Sequence, residues 1–167
     1  MAETSRATPE SIASTQFFFE DYTEGQHWRS RGRTVTDADN RAYLGATGTA
    51  HPNHTDNEYA KRHTLLREVC APGVLVLGIV DGVIADEVTR HMASSMNYGH
   101  EKVRYLHPVY LGDTITADIT VTKTRIRGND WGVVEIESIA HNQDGDPVLF
   151  DCHLLIVKRR GAERNPA

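Results

Sequence analysis

APGVLVLGIVDGVIADEVTRHM, residues 71–92, is the stretch on which the fold turns. Between residues 74 and 85 every residue is apolar or glycine except Asp81, a run too long for an ordinary strand and matched to a helix buried on all sides. Pro72 suits a first helical turn, where a missing N–H costs nothing, and Glu87, Arg90 and His91 mark emergence into water. The reading predicts a helix over about residues 73–91. Gly73, Gly78 and Gly82 lower helix propensity but allow a sheet or a second backbone to approach closely. So apolar a helix requires a cover.

The chain downstream supplies one. Residues 102–106 read as a strand leading into a bend at residues 107–113, framed by Pro108 and Gly112-Asp113. Residues 114–127 then alternate, with Ile115, Ala117, Ile119 and Val121 on one face. A turn at Gly128-Asn129-Asp130 returns the chain through residues 131–141, and a second turn at 142–146 leads to residues 148–158, where Phe150, Cys152, Leu154 and Ile156 share a face. The pattern predicts an α+β domain in which an antiparallel meander lays its apolar face on the helix. Upstream lie an aromatic segment at 17–22, a short strand at 33–36 and a helix from 37 to about 46, with Thr36 as cap and Asp37 and Asp39 in its first turn. Residues 47–56, TGTAHPNHTD, break that helix and place two histidines within four positions before a helical pattern resumes at 57–62. Polar, sharply turned loops of this kind carry chemistry more often than cores do.

The 167 residues suit one domain, read as residues 16–160 between polar tails at 1–15 and 161–167 that are expected to be disordered. A formal charge of −5 leaves no basic footprint for nucleic acid. Cys70 and Cys152 fit neither a disulfide framework nor a zinc spacing, and a reducing cytoplasm is their simplest setting. There is no run of 18 apolar residues, and the first dozen residues lack the apolar stretch of a signal peptide, so neither a membrane span nor export is expected.

Five segments in order and spacing carry a family resemblance: FFFEDYTEGQ from residue 17, GRTVTDADN from 32, HPNHTDNEYA from 51, APGVLVLGI from 71 and VRYLHPVYLGDTI from 103. Together they resemble the MaoC-like dehydratases, the (R)-specific enoyl-CoA hydratase group of the hotdog fold, over roughly residues 17–158. The resemblance implies an antiparallel β-sheet wrapped around one long central helix, subunits paired as a homodimer or a dimer-based oligomer, and an acyl thioester of coenzyme A or an acyl carrier as substrate. It implies no metal and no cofactor beyond the coenzyme A that the substrate brings. The catalytic loop of such proteins carries an aspartate, an asparagine two residues on and a histidine five residues after the aspartate. Those positions are Thr49, His51 and His54 here, so the histidine alone is kept. The oxyanion donor of the family, a glycine N–H at the start of the central helix, corresponds to Gly73. The loop Gly48-Thr49-Ala50-His51-Pro52 is also similar to a form found in relatives that act on branched dicarboxylic acyl-CoAs.

Each site residue has a chemical and a bland reading. His54 can take a proton from water and return it, since imidazole titrates near neutrality, or it can simply cap a turn. His51 orients substrate or water, or only fills the space of the asparagine; Pro52 and Asn53 beside it are expected to border the substrate. Thr49 cannot ionise and can at most hold a water through its hydroxyl. Asp81, alone in an apolar helix, must be paired, protonated or functional, because a bare buried carboxylate is costly. Its expected partner is an arginine or backbone donor across a subunit interface. Arg62, Arg67, Lys102 and Arg104 are candidates for phosphate contacts or merely solvated faces. The leading expectation is a hydratase or dehydratase acting at the α,β bond of an enoyl-CoA or 3-hydroxyacyl-CoA. The alternatives are a thioesterase-like hydrolase that uses Asp81, and a non-catalytic acyl-binding subunit that has lost the family aspartate.

Overall fold

A computed structural model describes residues 16–162. The expected disorder of residues 1–15 and 163–167 lies outside the described residues; Gly161 and Ala162, assigned to the tail on sequence grounds, close a turn in which the Ala162 N–H donates to the Arg159 carbonyl at 3.3 Å. In chain order come β1 (His27–Arg29), β2 (Arg33–Thr34), α1 (Asp37–Thr47), α2 (Asn57–His63), α3 (Gly73–Glu87), β3 (Ser95–Tyr105), β4 (Thr114–Arg127), β5 (Trp131–His141) and β6 (Pro147–Lys158). The sheet runs in the order β1-β4-β5-β6-β3, with β2 pairing β4, and every pairing is antiparallel. It wraps α3, and the fold is a hotdog.

The alternation in β4 holds as read: Ile115, Ala117, Ile119 and Val121 are fully buried and join Val76, Val80, Val83 and Ile84 of α3 in one core. β6 is turned the other way from its reading. Leu149, Leu155 and Val157 enter that core, and alternation places Asp151 and His153 on the same helix-facing side, while Phe150, Cys152, Leu154 and Ile156 lie opposite. The apolar even-numbered face misled because the odd-numbered face carries two polar residues, whose reason for facing the helix lies on α3 itself. β3 begins at Ser95 rather than residue 102. Its first half, SMNYGHE, is too polar and too glycine-broken to show a period, and it pairs β6 through bulges at Asn97/Gly99 and His100/Lys102.

Two corrections concern α3. It ends at Glu87 and is followed by a separate 3-10 turn at Thr89–His91, so the predicted helix to residue 91 is two pieces. Within one chain it is also not buried on all sides: Val74 is 58% exposed, and side chains added at Gly78 or Gly82 would meet nothing within 4 Å. Among its three glycines only Gly73 is closely approached, by the Tyr105 ring. Among the glycines the closest approach is at Gly132 of β5, over which the Phe19 ring lies where any side chain would sit.

Candidate active site

The histidine loop is built by caps at both ends. Thr36 and Asp39 form a reciprocal capping box that starts α1, with Thr36 N–H donating to Asp39 at 2.8 Å and Asp39 N–H to the Thr36 hydroxyl at 3.2 Å. Gly48, in the left-handed region at φ 70°, stops α1 and frees the chain to turn. A 3-10 turn over Pro52–His54 follows, its entry held by the His51 ring, whose Nδ1 accepts from Asn53 N–H at 3.2 Å. Asp56 then caps α2, accepting from Glu58 and Tyr59 N–H at 2.9 and 3.0 Å. From the α1 side the buried Asn40 amide donates to the His54 carbonyl at 3.0 Å, and from the other side Cys70 N–H donates to the Asn53 carbonyl at 3.1 Å. The loop is therefore pinned from two directions.

That pinning sets the chemistry of His54. Its Nδ1 stands 2.8 Å from the Cys70 carbonyl oxygen. A carbonyl only accepts, so in the neutral ring the proton sits on Nδ1 and Nε2 carries the lone pair. Three residues after Cys70 the same segment begins α3 at Gly73, whose N–H belongs to the first turn of a 15-residue helix and has no protein acceptor among the described residues. One short stretch of backbone thus orients the His54 ring and presents the Gly73 N–H. Both line a cavity of about 550 Å³, walled by Leu65, Leu66, Val76, Leu106 and Val109. Cys70 lines it too, but burial pushes its thiol above the usual range, and the histidine nitrogen near its Sγ is the protonated one, so a Cys-His nucleophile is not formed.

The other expected residues divide. Asn53 lines the cavity, and its Oδ1 is buried without a partner among the described residues. His51 is exposed, its ring 6.3 Å from that of His54. Pro52 holds the first position of the 3-10 turn and does not line the cavity. Thr49 does not line it either; its oxygen accepts instead from the Thr47 hydroxyl at 3.0 Å. Asp81, two turns along α3, is not brought to His54. Its carboxylate lies 3.8 Å from His100 Nε2 and 3.6 Å from His153 Nδ1, so its neighbours are imidazoles of its own chain rather than an arginine or backbone donors. Burial raises the pKa of Asp81 against the opposing pull of His100, and Asp151 nearby adds to the rise. The arginines and lysine are also engaged: Arg62 pairs with Glu58 at 2.7 Å, Arg67 lies over the Tyr110 ring, Lys102 over Phe150, and Arg104 donates to the Val103 carbonyl. The sequence reading missed Cys70 and Asn40, whose contributions run through a backbone carbonyl and a buried amide; a buried asparagine in a short amphipathic helix was the one available sign.

Residues 20–142 match the family model described as MaoC like domain. The chain belongs to the MaoC-like family. It is 31% identical over 105 residues to an (R)-specific enoyl-CoA hydratase of Rhodospirillum rubrum, covering 63% of this chain and 69% of the relative. Over 145 residues it is 28% identical to a mesaconyl-CoA hydratase of Cereibacter sphaeroides, spanning 86% of this chain but only 41% of that longer protein. The crystal structure of a monoamine oxidase regulatory protein from Archaeoglobus fulgius superposes with a TM-score of 0.80 at 32% identity, covering 87% of this chain and 96% of the other. Two of these relatives are named as hydratases, which are hydro-lyases. Among the described residues no helix is long and apolar enough to cross a membrane.

Proposed function

We propose that this MaoC-like protein adds water across, or removes it to form, the α,β double bond of an acyl thioester, with His54 as the single acid–base group and Gly73 N–H as the oxyanion donor. In the hydration direction, His54 Nε2 takes a proton from water as the oxygen bonds to the β carbon. The electron pair of the double bond moves to the thioester oxygen, where Gly73 N–H and the positive end of α3 stabilise the enolate. The imidazolium then returns its proton to the α carbon, so one water is added and the histidine is restored. The observation that carries the reading is the 2.8 Å contact of His54 Nδ1 with the Cys70 carbonyl, which leaves the basic nitrogen free in a cavity shared with the start of α3.

The same cavity favours an uncharged acyl chain. Its walls are mainly apolar, and among the described residues no lysine or arginine lines it, so a second carboxylate would enter without a counter-charge. We expect crotonyl-CoA and medium-chain enoyl-CoAs to lose their enoyl absorbance with a kcat/KM at least tenfold above that for mesaconyl-CoA. A preference for mesaconyl-CoA would reverse the substrate assignment. Thiol release without hydration would instead favour a thioesterase, and no change with any substrate a binding subunit.

The assembly expected with this function is a homodimer. β3 is an edge strand carrying exposed Met96 and Tyr98, and the outer face of α3 is open at Val74, Gly78 and Gly82. Unpaired edges of this kind invite a second copy. Light scattering of the full chain at micromolar concentration should give twice the 18.6 kDa chain mass, and a monodisperse monomer would remove the dimer from the proposal.

A further inference from the structure

Away from the His54 cavity, α3, β3 and β6 bring Asp81, His100, Asp151 and His153 together, with one potential ligand atom of each within 4.8 Å of the others. None of the four lines the cavity. His100 and His153 are register partners across β3 and β6, and their rings stack at 4.5 Å between centroids. Asp151 is fully buried, and its Oδ1 accepts from His100 Nδ1 at 2.8 Å. That bond places the proton of neutral His100 on Nδ1 and leaves its Nε2 lone pair 3.8 Å from Asp81. The Asn97 amide donates to Nε2 at 3.4 Å, a long bond that a metal ion would displace.

The geometry is wrong for hydrogen bonding and right for a shared cation. Asp81 stands 3.8 Å from His100 Nε2 and 3.6 Å from His153 Nδ1, both beyond hydrogen-bond length. Two ligands held at about 2.0–2.2 Å from one first-row metal ion lie about 3.0–3.7 Å apart, so small side-chain movements suffice. Four atoms of the cluster are buried and have no partner among the described residues: Asp81 Oδ1, Asp151 Oδ2 and both ring nitrogens of His153. The His153 side chain is only 6% exposed, so its two unpartnered ring nitrogens have little access to water. Leaving so many polar atoms unpaired inside a core is costly, and a cation facing them would remove much of that cost.

We propose that Asp81, His100 and His153 bind a divalent first-row transition ion, Zn²⁺ being the best match, with Asp151 holding the far nitrogen of His100. Two imidazoles and a carboxylate select such an ion over Mg²⁺ or Ca²⁺, which prefer oxygen ligands, and a carboxylate behind a ligating histidine fixes its tautomer and raises its basicity. The ion ties the middle of the central helix to the two strands covering it. It departs from the sequence expectation of no metal, because its ligands are scattered over 73 residues with no motif spacing.

The test uses untagged full-length protein, stripped with EDTA, dialysed and titrated with Zn²⁺ against a chromophoric chelator, with the thermal midpoint followed in parallel. The expected result is one Zn²⁺ per chain and a midpoint raised by about 5 °C or more at a hundredfold excess over Kd. Co²⁺ in place of Zn²⁺ should give visible d–d bands. His100→Gln, at a partly exposed position, should weaken binding at least tenfold, as should Asp81→Asn. His141→Gln, beside Asp118 on another part of the sheet, should bind as the parent does. Absence of stoichiometric binding and of any midpoint shift in the parent would overturn the proposal and leave a histidine–carboxylate network. Undiminished binding in both His100→Gln and Asp81→Asn would overturn it equally, by placing the ion elsewhere.

Discussion

Replacing His54 with alanine should lower kcat for enoyl-CoA hydration by about 10²–10⁴, the usual range for losing a general acid–base group, while KM changes little. The pattern follows from the placement of the ring. His54 reaches the cavity with one basic nitrogen, and among the cavity-lining residues the only other imidazole, His107, has its Nδ1 tied to the Pro147 carbonyl at 2.7 Å. The loop should survive the change, because the Asn40 amide and the Cys70 N–H bind the backbone carbonyls of His54 and Asn53, and only the bond from the imidazole to the Cys70 carbonyl is lost. An unshifted thermal midpoint would check this. Thr49→Val is the contrast: a hydroxyl that already receives a bond from Thr47 and does not line the cavity should matter little to turnover. If His54→Ala turns over acyl-CoAs as fast as the parent, the catalytic assignment of the loop fails and an acyl-binding role replaces it.

Gly73→Pro should cost about 10²–10³ in kcat, the effect of deleting one oxyanion-hole donor. The substitution suits this position. Gly73 is the first residue of α3, where proline is tolerated and its missing N–H breaks no helical bond. The preceding Pro72, at φ −56° and ψ 135°, already has the extended conformation that a following proline demands. Gly73→Ala is the control, since it keeps the N–H while adding a methyl group 3.0 Å from the Tyr105 ring. Tyr105 is 51% exposed and can move outward, so alanine should cost less than tenfold. Equal activity of the proline and alanine variants would show that the N–H of residue 73 carries no charge in the transition state, and the mechanism would need another donor.

Much of this molecule was legible because its signals are local. The apolar run at 74–85 announces a helix, the period of two in residues 114–127 announces a strand with Ile115 and Ile119 inward, and Thr36 with Asp39 announces a helix start; each rests on residues a few positions apart. The family segments likewise brought out His54 and Gly73 from their order along the chain. What only the tertiary structure decided depends on groups that sequence holds far apart. The proton of His54 is placed by a carbonyl 16 residues away, and a backbone oxygen has no residue type to read. The inward face of β6 contradicts its own hydrophobic pattern because Asp151 and His153 turn toward Asp81, and that choice is made by the register of β3 on β6, bulges included. Local periodicity fixes which residues share a face; which face turns inward, and which distant polar groups meet there, is settled by the free energy of burying them together.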